Sequence, residues 1–217
     1  MLKFMYYSPL LVKCDDEKVL FWSDTHFGHL CERWDIPLWR MRGFNSVDEH
    51  DQILIERWNS VAHDDTIAFF LGDFIFGPNT IQRFEQIVRT LKFKTLHMMP
   101  GNHCSGWKQH FENNASTHGA WNLSDSKRII FIPNYIEAVV NKQPIVMSHY
   151  PIASFNGQMK GAWMVHGHCH GKLYNSPTMN SLYKAKVIDV GIENCSSPIS
   201  FAGLKNLFNE RESVSFD

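Results

Sequence analysis

A chain of 217 residues is long enough to bury one sizeable core, and 44% hydrophobic with 20% charged residues excludes a disordered composition. No apolar run is long enough to span a bilayer, so a membrane partner is not expected. A formal net charge of -1 excludes a global basic field, so a long polyanion would have to be held by local features.

The chain reads as a single domain over residues 1–217, without repeats, linkers or low-complexity tracts. The stretch from Met1 to Tyr7 has Lys3 but no apolar core followed by a small-residue cleavage site, so a cytoplasmic location is expected. The five cysteines, Cys14, Cys31, Cys104, Cys169 and Cys195, lack CxxC spacing and are expected as reduced thiols. The unusual count is 12 histidines, many beside glycine or aspartate at the ends of apolar runs, which points to metal chemistry.

In chain order, Lys18 to Trp22 reads as a strand running into Ser23-Asp24-Thr25-His26-Phe27-Gly28-His29. Alternate residues of an extended segment point the same way, so Asp24 and His26 can aim a carboxylate and an imidazole at one point. An Asx-type turn with a bystander histidine is the other reading. His29 could touch substrate or lie just behind a metal ligand, and is expected as a surface loop histidine. Residues 32 to 45 mix Trp34, Pro37, Trp39, Arg40, Arg42 and Phe44, either a substrate-facing loop or a packed one. From Ser46, with Glu49 three residues on, Val47, His50-Asp51, Ile53-Leu54, Arg57-Trp58 and Val61 have helical spacing, which predicts a covering helix without chemistry.

Ile67 to Phe74 is an apolar run bounded by Asp64-Asp65 and Gly77-Pro78, as in a central strand covered on both faces. It ends on Gly72 and a single carboxylate, Asp73, which either caps the next helix or holds a ligand. Asn79-Thr80 opens a helix with Ile81, Phe84, Ile87-Val88 and Leu91 on one stripe. Lys94 to Pro100 is then a strand ending in Gly101-Asn102-His103, with Asn102 a neutral oxygen ligand for metal and His103 a catalytic candidate. Residues 104 to 127, with His110, Asn113, Asn114, His118 and Trp121, show no period and are expected as surface or loop. Strands are predicted over 128–132, 135–140, 144–151 and 163–171, the last two delivering His149 and the pair His168 and His170. Residues 186–191 read as a core strand and 202–208 as a short helix. Strand, helix, strand with polar tips is the rhythm of a sheet presenting its site at the carboxyl ends.

Asp24-x-His26, Gly72-Asp73, Gly101-Asn102-His103, His149 and Gly167-His168-Cys169-His170 stand in the order of the calcineurin-like metallophosphoesterase family, which the chain resembles from about residue 18 to 200. Its opening is similar to the small bacterial and phage members. The resemblance implies a four-layer αββα sandwich with a dinuclear metal site. One ion would take Asp24, His26 and His170, the other Asn102, His149 and His168, with Asp73 bridging. Two divalent ions can activate a bridging water for in-line attack on a phosphoester. Manganese is favoured, with iron, zinc or nickel as further options. His103 would serve the leaving oxygen.

The chain departs from the protein phosphatases of this superfamily. It has Phe76 and Gly77 where their second Asp and their phosphate-gripping Arg fall, and Cys104 where a Glu follows the histidine. A diester carries less charge than a monoester, so the expected activity is a phosphodiesterase acting on a small nucleotide or nucleic-acid-derived substrate. The alternatives are a phosphomonoesterase, a metal-dependent nuclease, or a non-catalytic scaffold on the same fold.

Overall fold

The structure, a computed structural model, describes residues 8–30, 36–77, 80–103, 120–175 and 186–211. Cys31, Trp34, Asn79, Cys104, His110, Asn113, Asn114 and His118 lie outside the described residues. One sheet has six strands. Its centre is four parallel strands in the order β2 (Val19–Trp22), β3 (Ile67–Phe70), β4 (Thr95–Met98) and β6 (Lys127–Phe131). Antiparallel edges β11 (Ile199–Ser200) and β5 (Ala120–Ser124) flank β2 and β6.

The second sheet has the order β1 (Leu10–Val12), β7 (Tyr135–Val140), β8 (Gln143–Ser148), β9 (Trp163–His166) and β10 (Val187–Asp189). Only the β7 and β8 pair is antiparallel. Asn141 and Lys142 join these two strands with φ of 48° and 75°, the left-handed pair that matches the twist of a two-residue hairpin.

Alternation decides which face each residue joins. Val19, Phe21, Phe69 and Leu71 point inward to meet Ile145, Met147, Val165 and Ile188 of the other sheet. Leu20, Trp22, Ala68 and Phe70 point outward, under the helices. After a short helix α1 (Leu38–Met41), α2 (Val47–Val61) and α3 (Thr80–Thr90) lay Leu54, Trp58, Phe84 and Val88 on that outer face. Ser46 caps α2 by accepting from Glu49 N at 3.0 Å, as its spacing predicts. Over the other sheet's outer face, Phe155 and Ala162 pack on Val146, Met164 and Val187. The mixed α/β sandwich is therefore present; among the described residues, its fourth layer is loop with a 3-10 turn, Gln158–Lys160, between left-handed Gly157 and Gly161.

Helix α4 (Phe201–Asn209) closes the end of the sandwich where the parallel strands begin. Phe201 and Phe208 pack on Trp163, ring centroids 5.3 and 4.8 Å apart, and Lys205 Nζ meets Asp16 at 2.9 Å. Two strands depart from expectation. β1 is only three residues long, and β5 lies within the stretch expected as surface or loop. Both are edge strands, whose mixed exposure leaves little period to read.

His97 of β4 stacks on Phe69 between the sheets, ring centroids 4.7 Å apart, and Phe69 in turn stacks on Phe21 at 5.4 Å. Burial pushes its pKa down from 6.5 to about 4. The unfolded chain therefore binds more protons between those values, so stability falls as pH drops from 6.5 to 4, by roughly 3 kcal/mol from this residue. Denaturant unfolding of His97→Leu at pH 4, 5, 6 and 7 should show a flatter acid limb than the parent. An unchanged slope would refute the assignment.

Candidate metal centre

The parallel strands end at one place, and there the chain turns sharply. Asp24, His26, Asp73, His168 and His170 have φ of 60°, 50°, 55°, 72° and 49°, left-handed values that non-glycine residues seldom adopt. Peptide hydrogen bonds carry the ladder past the strand ends. Asp24 N donates to Gly72 O at 3.0 Å, His26 N to Asp73 O at 3.0 Å, and Gly167 N to His149 O at 3.1 Å. Glycines admit the close approaches. A Cβ on Gly72 would overlap the His149 ring, one on Gly101 the Asp73 carboxylate, and one on Gly167 both Ser23 Oγ and Asp24 Oδ2. Ser23 and Gly191 form a parallel bridge that joins the two sheets beside this point.

The seven residues that the sequence singles out as metal ligands converge here. Asp24, His26 and His170 form one group and Asp73, His149 and His168 another, the ligand atoms of each lying within 4.8 Å of one another. Asp73 Oδ2 stands between the groups, 3.7 Å from His26 Nε2 and 3.5 Å from His149 Nε2. Asn102 joins the second group, its Oδ1 lying 2.8 Å from His149 Nε2 and 2.9 Å from His168 Nδ1. His103 sits beside them, its ring centroid 5.4 Å from His26 and 5.0 Å from Phe76, while its N–H donates to Asp73 Oδ1 at 2.9 Å.

Several residues of the site are not expected from the sequence. His170 Nδ1 lies 2.8 Å from Glu193 Oε1, and Arg42 reaches Glu193 at 2.7 Å and Asp24 O at 2.7 Å. Arg42, read as substrate-facing or simply packed, instead braces the ligand loop. Helix α2 is not a mere cover either. Its Asp51 accepts the Gly28 N–H at 2.9 Å, and His50 Nδ1 lies 2.8 Å from Asp51 Oδ1. Asp189 at the end of β10 accepts from Gly171 N and Gly191 N at 3.1 and 2.8 Å, fixing the turn that carries His170. His29 is buried against Phe76 and His26, not a surface residue, because the loop folds inward over α2. The signal available for Glu193 was a carboxylate just after the last core strand.

The electrostatics suit a cation. Burial pushes the Asp24 carboxyl up to about 7 and holds the His26 imidazole well below its ordinary range. Asp24 Oδ1 and both ring nitrogens of His26 are buried without a hydrogen-bond partner among the described residues. Burial opposes charge on Asp73 too, yet the His149 ring and the His103 N–H keep it below the usual carboxylate range. Despite burial, His170 and Arg42 hold Glu193 down at about 2. Unsatisfied nitrogen and oxygen donors facing one another form a donor set that suits a divalent ion. Gly167→Ala should leave the fold intact but push the Asp24 carboxylate aside. The overpacking should cost about 1–3 kcal/mol of stability, and the displacement of Asp24 should weaken divalent-metal binding in calorimetric titration. Unchanged affinity would show that Asp24 is not held by this contact.

Comparison with known proteins agrees with this geometry. The family model described as calcineurin-like phosphoesterase matches residues 17–212. An uncharacterized protein of Methanocaldococcus jannaschii, MJ1445, is 28% identical over 177 residues, covering 81% of this chain and 82% of its own. The crystal structure of a protein of unknown function from Aquifex aeolicus, AQ665, is similar in fold, with a TM-score of 0.60 at 20% identity, over 87% of this chain and 98% of that one. With the family model spanning nearly the whole chain and its metal-type residues gathered at one end of the sandwich, the chain belongs to the calcineurin-like phosphoesterase family.

Proposed function

We propose that the chain is a phosphodiesterase using two divalent ions, manganese first among them, and that its substrate is a small nucleotide or nucleic-acid-derived diester. The observation that carries this reading is a full ligand set beside an arginine turned away from it. Arg42 donates to Glu193 through Nε and Nη2, to Asp24 O through Nη2, and to Thr25 O and His50 Nε2 through Nη1. Its five N–H donors are thereby engaged, and none is left to grip phosphate oxygens. A doubly charged monoester loses more from that than a singly charged diester does.

Asp24, His26 and His170 would hold one ion and Asn102, His149 and His168 the other, with Asp73 shared. Ions bound there would polarise the phosphate oxygens and supply a nucleophile at neutral pH. The chain's own residues orient that chemistry. His149 Nδ1 donates to Leu71 O at 2.7 Å, which fixes the tautomer and leaves Nε2 free to ligate. Glu193 does the same for His170. His103 is exposed at the rim, between His26 and Phe76, where it can give a proton to the departing oxygen. An aromatic ring, not a carboxylate, packs against it. Unpaired thiols at Cys14, Cys169 and Cys195 support a reducing, cytoplasmic compartment, and no helix among the described residues is long and apolar enough to cross a membrane.

The test compares bis-p-nitrophenyl phosphate with p-nitrophenyl phosphate, using metal-stripped protein before and after adding manganese. Manganese-dependent cleavage favouring the diester is expected, and preference for the monoester would make the chain a phosphatase. Asp73→Asn should abolish turnover with the circular dichroism spectrum unchanged; full activity in that variant would refute the shared-ligand assignment. His103→Ala should lower kcat by about 10²- to 10⁴-fold for an alkyl leaving group and by less for nitrophenolate, which departs without a proton. Equal losses on both would remove His103 from that role.

A further inference from the structure

We propose that Arg42 is a positioning residue for one ligand group, holding Asp24, His26 and His170 together while Asp73 and His149 of the other group are held by contacts that do not include it. The inference rests on the two-ion reading above and adds an asymmetry to it.

Arg42 follows α1, and its side chain is only 7% exposed. Two of its donors fix the main chain of the first group, reaching Asp24 O at 2.7 Å and Thr25 O at 2.8 Å. Those carbonyls belong to the peptide units that set the left-handed backbone of Asp24 and His26. Two more, from Nε at 3.0 Å and Nη2 at 2.7 Å, converge on Glu193 Oε1. The same oxygen lies 2.8 Å from His170 Nδ1. One side chain thus ties the Asp24 and His26 loop of the six-stranded sheet to the His170 loop of the five-stranded one.

The fifth donor anchors this brace outside the site. Nη1 lies 3.1 Å from His50 Nε2, and because a guanidinium can only donate, His50 Nε2 must accept. The ring proton is then on Nδ1, which donates to Asp51 Oδ1 at 2.8 Å. Asp51 Oδ2 in turn accepts from Gly28 N and from Arg83 Nε of α3, both at 2.9 Å. Helices α2 and α3 therefore hold Arg42 from behind.

The second group is held by different means. His149 Nδ1 donates to Leu71 O at 2.7 Å, His149 N to Asn134 O at 3.2 Å, and Asp73 Oδ1 accepts the His103 N–H at 2.9 Å. Each of these contacts uses main-chain atoms, and none involves Arg42. Loss of Arg42 frees both carbonyls and Glu193 at once, so His170 swings away from Asp24 and His26 while His149 and Asp73 keep their places; His168, whose N–H donates to Asp24 Oδ2 at 2.9 Å, is the link between the two groups. Lysine cannot substitute, since one ammonium with three donors cannot span four acceptors arranged for a planar fork.

The experiment titrates metal-stripped, full-length protein with Mn²⁺, by calorimetry and by electron paramagnetic resonance. The parent is expected to bind two ions per chain with the spectrum of a coupled pair. Arg42→Met and Arg42→Lys should each bind one ion with parental affinity and the other about 10- to 100-fold more weakly, with the spectrum of an isolated ion at intermediate loading. Glu193→Gln should weaken the same single ion. Thermal melting of the metal-free variants checks folding, and Arg42→Lys, which keeps the charge, carries the test should Arg42→Met fail to fold. Equal weakening of both ions, or unchanged binding of both, overturns the inference. A parent that does not bind two ions overturns the two-ion reading itself, and the inference with it.

Discussion

Five residues with full side chains stand on left-handed backbone within one small volume, and everything around them serves to keep them there. Each such residue costs on the order of 1–3 kcal/mol, so together they absorb a share of stability comparable to the net value of an ordinary domain. The strain persists because the hydrogen-bond ladder does not stop where the strands do. Asp24, His26, Phe27 and Asp73 each donate a main-chain N–H to the neighbouring loop. The turns are thereby as well paired as the strands that feed them, and the side chains they carry are aimed inward instead of continuing along the sheet.

That arrangement also accounts for the composition of the core. A sandwich whose strands end in buried, partly unsatisfied donors must be rigid elsewhere. Phe21, Phe69 and His97 stack between the sheets, Trp22 meets Trp58 of α2, and Phe70, Phe74 and Phe84 pack edge to face under α3. Aromatic side chains supply large buried area with few torsions to freeze, which suits a scaffold that must resist relaxation of a strained end. Helix α4 closes the opposite end with Phe201 and Phe208 against Trp163, so the strand origins are held apolar and the strand termini polar.

Much of this was legible in the amino-acid order, for a local reason. Ile67 to Leu71, Thr95 to Met99 and Ile145 to Met147 are apolar runs that end abruptly in Asp73, Asn102 and His149, and an abrupt change at a strand end needs no tertiary information to detect. Helix α2 announced itself by Ser46 and its period. What stayed hidden depends on partners distant in sequence. Arg42 meets Glu193 and Asp51 meets Gly28 across stretches that no period relates, and the burial of His29 follows from how its loop folds over α2. β5 was hidden for another reason, since an edge strand with alternating half-buried residues differs little in composition from a loop. The sequence also makes α2 look like a plain cover, because His50 and Asp51 occupy the buried stripe that apolar residues normally fill.

Each candidate metal group draws from both sheets: Asp24 and His26 with His170, and Asp73 with His149 and His168. Neither sheet alone can assemble a group, so the site comes into being only when the two sheets dock. Those pairings are long-range and of high contact order, which places them late on the folding route. An ion held there would then favour the finished sandwich over its precursors. Its effect would fall on how fast the protein comes apart, with little influence on how fast it forms, making the loaded state long-lived in kinetic terms.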